Sequence, residues 1–142
     1  MALKVTKKVV WVAEIDDQPG GLALCLDALA EAGANLECLI ARRQPNMPGV
    51  GVVFVTPLQG RRVKAAATKL GFRATKSVAT LRIEGADKRG IGARIARAIG
   101  AAGVNMRGVS ASVVGRKFIC YLGFDRRAAA AKAAAAIKRA GL

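Results

Sequence analysis

The sequence has no histidine and only three cysteines, Cys25, Cys38 and Cys120. None of the cysteines belongs to a C-x-x-C pair, and each sits inside an apolar stretch. Cysteines placed this way read as small buried hydrophobes. With no histidine beside them, the pattern argues against a zinc site and against a histidine-based catalytic group. No metal and no cofactor is expected. Long apolar runs are also missing, since none approaches the roughly 20 residues of a membrane span. The N-terminal lysines are followed by Glu14 and Asp16, which cut short any signal-peptide core. A cytoplasmic protein without membrane contact is the expectation.

Acidic residues are scarce in one half only. Residues 1–60 carry a net charge of −1 and residues 61–142 a net charge of +16, within the overall +15. An excess of this size raises the question of nucleic acid or an acidic partner. The plainer explanation is arginine enrichment on solvated helix faces.

What the chain does have is a turn built for close approach. Asp17-Gln18-Pro19-Gly20-Gly21-Leu22 follows the apolar run Val9–Ile15. Leu22, Cys25, Leu26 and Leu29 then recur at helical spacing. The reading is strand, glycine turn, helix, and the helix's first N–H groups open onto the turn. Those groups and the positive end of the helix dipole suit an anion.

The same stretch occurs twice. Adding 70 carries Asp17, Gly20, Gly33 and Asn35 onto Asp87, Gly90, Gly103 and Asn105, and the apolar stripe follows in register. Paired Asp and Asn in unbroken register make this a duplication. The expected units are residues 1–77 and 78–142. In the first, after a basic lead over residues 1–8, strands are expected at 9–15, 35–43, 50–56 and 72–77. Helices are expected at 20–32 and 58–70. The second repeats this order but ends after its second helix, without a fourth strand. A bend near residues 75–77 is expected to carry the chain between the units.

A βαββαβ unit with right-handed crossovers gives a four-stranded antiparallel sheet with both helices on one face. The fold class is therefore α+β, as two tandem ferredoxin-like units, the second lacking its last strand. That gap would leave residues 78–84 as an open edge, so a symmetric homodimer is expected.

An apolar strand, then D-x-P-G-x-L-A, a helix ending in A-G, then N-L, resembles the ACT domain, a small amino-acid-binding regulatory module. Asp17, Pro19, Gly20, Leu22, Ala23, Gly33, Asn35 and Leu36 carry the match in the first copy. The second copy keeps Asp87, Gly90, Gly103 and Asn105 but has Arg89 where the proline stands and Gly92 where the leucine stands. The resemblance covers nearly the whole chain, leaving no room for a catalytic domain. It implies a stand-alone tandem ACT protein, not an enzyme, that binds a free amino acid where units meet and controls a separate enzyme or regulator. The implied ligand-binding residues are Asp17, Gln18, Pro19, Gly20, Gly21, Leu22 and Asn35 in the first copy, and Asp87, Arg89, Gly90 and Asn105 in the second. The N–H groups of Gly20 to Leu22 would take the carboxylate, and Asp17 and Asn35 would accept from the ammonium.

Each residue also has a plainer use: the glycines in turn geometry, the aspartates as charges at helix starts, the asparagines in loop hydrogen bonds. The alternative function is a basic ferredoxin-like nucleic-acid-binding protein, since RNA-recognition modules share the topology. Against it, Phe118 and Tyr121 fall on opposite faces of their strand, and residues 78–84 hold no aromatic.

Overall fold

The computed structural model describes residues 2–74 and 79–142. Its first element is a strand, β1 (Lys4–Lys8), where a short basic lead was expected. Residues 9–74 then form one compact unit. It contains β2 (Trp11–Asp16), α1 (Gly21–Glu31), β3 (Cys38–Arg43), β4 (Val50–Thr56), α2 (Arg61–Lys69) and β5 (Arg73–Ala74). The sheet order is β3-β4-β2-β5, with every pairing antiparallel. Alternation along the strands turns Ala13, Val53 and Val55 inward, where they meet Cys25 and Leu29 of α1 and Val63 and Ala67 of α2. The expected helix at 58–70 starts later, at Arg61, because Gly60 just before it adopts a φ of 89°.

The second unit joins residues 2–8 to residues 79–142. It contains β6 (Ala79–Ala86), α3 (Ile91–Ala101), β7 (Gly108–Val114), β8 (Lys117–Phe124) and α4 (Arg127–Arg139), and it takes β1 as its fourth strand. The order is β1-β6-β8-β7, again antiparallel throughout. Ala130, Ala133 and Ala136 of α4 are buried, so small side chains let this helix lie close to Phe124, which is fully enclosed. Two α+β units with antiparallel sheets and one helical layer each are the architecture expected from the sequence.

Two expectations need correction. The second copy does end without a strand after α4, but its sheet is complete, because β1 pairs along β6 from Lys4↔Glu84 to Lys8↔Thr80. Residues 2–8 therefore belong with the second unit, and the open edge that motivated a dimer is covered along residues 80–84. The bend expected near residues 75–77 lies outside the described residues.

Of the two edge strands of this sheet, β1 carries three lysines and β7 is the apolar one. Its Val109, Val113 and Val114 are 59%, 49% and 66% exposed. No helix among the described residues is long and apolar enough to cross a membrane.

Candidate ligand-binding turns

The two glycine turns have one geometry. Gly20 and Gly90 adopt φ of 84° and 79°, a left-handed conformation that glycine enters without steric cost. Each turn closes on itself through the same bonds. The Gly21 N–H donates to the Gln18 carbonyl at 3.1 Å, and the Ile91 N–H to the Lys88 carbonyl at 3.1 Å. Three residues further into the helix, Leu24 N–H reaches the Gly20 carbonyl at 3.1 Å and Arg94 N–H the Gly90 carbonyl at 3.0 Å. The Asp17 and Asp87 N–H groups donate to the Gly49 and Arg116 carbonyls, which fixes where each turn leaves its strand.

This bonding redefines the anion donors. Gly21 was expected to give its N–H to a carboxylate, but Gln18 already takes it. Gly20, Leu22 and Ala23 in the first unit, and Gly90, Gly92 and Ala93 in the second, donate to no group among the described residues. Ala23 was not among the expected ligand-binding residues, although the rule that a helix leaves its first four N–H groups unpaired would have included it.

The carboxylate of Asp17 is engaged. Its Oδ2 accepts from Nε of Arg43, at the end of β3, at 2.6 Å. Arg43 was not foreseen, because the contact depends on the β3–β4 register that brings Arg43 opposite Gly51. The pair is largely solvated, with Arg43 78% exposed, so it contributes no more than about 1 kcal/mol. Its counterpart in the second unit is absent, since the shift of 70 residues places Val113 there. Asp87, Arg89, Gln18 and Pro19 are exposed on their turns.

Asn35 and Asn105 do not join these groups within a unit. Each follows the C-terminal end of an 11-residue helix whose N-terminal end makes the turn. At 1.5 Å per residue the helix puts about 16 Å between them. The asparagines lie exposed in loops closed by Gly33 and Gly103, and can contribute only to a turn other than their own.

Other chemistry is muted. Cys25 and Cys120 are buried, and Cys38 is half-buried. Burial pushes all three thiols up, Cys120 to about 11, and Glu37 adds its charge at Cys38. On the sheet face of the second unit that turns away from the helices, Arg82 donates to the Tyr121 hydroxyl and pairs with Glu84. Burial acts against the Arg82 charge, but bonds to Glu84 and Tyr121 outweigh it and hold the guanidinium protonated, while the bond from Arg82 holds the Glu84 carboxyl below its ordinary range. Phe118 is buried on the other face, leaving Tyr121 as the one aromatic among the described residues of β6 and β8 on a surface an RNA base could stack on.

No protein-family model matches the sequence, and no curated protein is similar to it in sequence. Solved structures do match the fold. Protein BT0572 from Bacteroides thetaiotaomicron aligns with a TM-score of 0.77 at 14% identity, over 95% of this chain and 89% of that one. The regulatory subunit of aspartate kinase from Thermus thermophilus, in its ligand-free form, aligns with a TM-score of 0.65 at 19% identity, over 99% and 97%. Aspartokinase alpha and beta subunits align with a TM-score of 0.65 at 17% identity, over 99% and 97%. The fold is ACT-like, two ferredoxin-like units in tandem of the kind seen in regulatory subunits of aspartate kinase.

Proposed function

We propose that this chain is a regulatory module that binds a free amino acid and carries no catalytic activity of its own. The observation that supports this reading best is the repeated turn, in which three N–H groups at the start of a helix, beside a left-handed glycine, donate to no group among the described residues in either unit. Backbone donors of this kind hold a carboxylate without any cationic side chain. The ammonium needs acceptors, and Asp17, Asp87 or strand carbonyls supply them. The fold shared with regulatory subunits of aspartate kinase points the same way, toward a module that reports a small molecule to a separate enzyme or regulator in the cytoplasm.

A thermal-shift screen against the twenty amino acids tests this. A ligand at 100 times its Kd stabilises by about 2.7 kcal/mol, which raises the melting temperature by about 5 °C or more. A β-branched residue at Gly20 would strain the turn at its φ of 84°, so Gly20→Asn is the better probe. A side chain there enters open space, with no atom within 4 Å of the added Cβ. Gly20→Asn should abolish the shift from the first turn with little loss of stability. A variant that binds as well as the parent would show that the turn is not the site.

The same reading includes a homodimer that meets through the β7 edge. Exposed valines on an edge strand favour pairing with a second copy. Light scattering at micromolar concentration should give a mass near twice 14.7 kDa, and Val109→Lys with Val113→Lys should halve it. A monomeric parent protein would remove this part of the proposal.

A further inference from the structure

Each unit carries a groove beside its turn, and the two grooves occupy equivalent places. In the first unit the walls include Glu14, Asp16, Gln18, Gly21 and Leu24, around a space of about 290 Å³. In the second they include Leu3, Lys88, Ile91, Arg94 and Leu142, around about 220 Å³. The shift of 70 residues carries Gln18 onto Lys88, Gly21 onto Ile91 and Leu24 onto Arg94, so the walls are corresponding positions of one repeat. It also carries Asp16 onto Ala86, another wall residue of the second groove.

The duplication has kept the place and reversed the charge. The first groove has two carboxylates and no cation, and the second has two cations and no acidic side chain. Lys88 and Arg94 have no ion-pair partner among the described residues. The side chains of the second groove therefore leave it positive. Its floor is apolar, since Ile91 and Leu142 are 6% and 8% exposed. Arg94 follows Ile91 by three residues on α3, which puts the guanidinium on the same helix face as the floor.

We propose that the second groove binds a small organic carboxylate with a short apolar tail, and that the first groove, acidic at the same positions, rejects it. The carboxylate lies between the Lys88 ammonium and the Arg94 guanidinium, whose charge-assisted hydrogen bonds are stronger than neutral ones. The tail covers Leu3, Ile91 and Leu142. This rests on the proposed function only in placing small molecules beside the turns. It adds that the two copies are not redundant, because they sort ligands by charge.

Calorimetry with isovalerate and its neutral counterpart isoamyl alcohol tests the assignment. The double variant Lys88→Gln with Arg94→Leu gives the second groove the first groove's residues at these positions. Isovalerate should bind the parent at one site per chain, at least tenfold more tightly than the alcohol, and more weakly as salt is added. The double variant should lose at least tenfold in affinity while its circular-dichroism melt stays unchanged. Equal affinity for the alcohol, an unchanged affinity in the variant, or no isovalerate binding at millimolar concentration would each overturn the proposal. Amino-acid binding that is lost in Gly20→Asn while isovalerate binding is absent would sink this inference and leave the proposed function standing. Isovalerate binding in a protein that takes no amino acid would do the reverse.

Discussion

A polypeptide of residues 78–142 alone will not fold to a stable monomer, and a peptide of residues 1–9 will restore its fold. The paired length of β1 runs from Lys4↔Glu84 to Lys8↔Thr80. Without it, one side of β6 is left with unsatisfied N–H and C=O groups, and the core loses Leu3 and Val5, which pack against it. Leu81 and Ile83, fully enclosed in the intact sheet, sit on that same strand. A unit of this size has a stability of about 3–10 kcal/mol, and losing an edge strand with its two apolar side chains removes about 3 kcal/mol or more. The fragment should therefore melt without cooperativity or associate through its open edge. Residues 9–75, which own all four of their strands, should fold alone. Circular dichroism and size exclusion decide it, and a monomeric 78–142 fragment with the melting temperature of the whole chain would refute the role given to β1.

The second large effect comes from one position that the two copies have resolved in opposite ways. Gly21 is buried at the start of α1, and a Cβ placed there would lie 2.3 Å from the backbone oxygen of Asp16. Two backbone segments must separate to admit it, so Gly21→Ala should destabilise the first unit by about 2–3 kcal/mol. At the corresponding position the second unit has Ile91, 6% exposed and part of the core. Ile91→Ala should cost about 2–4 kcal/mol by leaving a cavity. A neighbouring exchange accompanies it, since Ile15 lies over Gly51 in the first unit while Phe118 stands opposite Gly85 in the second. The two single variants act in separate units, and urea unfolding of the double should show their sum. A Gly21→Ala protein as stable as the parent would show that the turn yields easily.

Much of this architecture was legible because the repeat exposes it. Gly20 with Gly90 and Gly33 with Gly103 predict two turns and two helix ends, and all four glycines have positive φ. The strand β1 was not legible. Lys4, Lys7 and Lys8 dilute its apolar pattern, and its partner lies far along the chain, so no local signal marks it. The candidate site was legible at the turns, where the chemistry is that of the backbone. Asn35 and Asn105 lie a helix length from the turns of their own units, a separation that proximity in sequence conceals. The bond from Gly21 to Gln18 and the pairing of Asp17 with Arg43 needed coordinates, since each depends on how a turn or hairpin closes.

The borrowing of β1 also sets a schedule for the growing chain. Lys4 pairs with Glu84, so 80 residues of further synthesis separate the strand from its partner. At about 5–20 residues per second this is a wait of about 4–16 s on the ribosome. During that interval the unit of residues 9–74 has all its strands and can close, while β1 trails from it as an unmatched strand. Three of its five residues are lysine, a composition that discourages pairing with the strands of neighbouring nascent chains. The same lysines that hide the strand from sequence inspection thus keep it available until β6 is made.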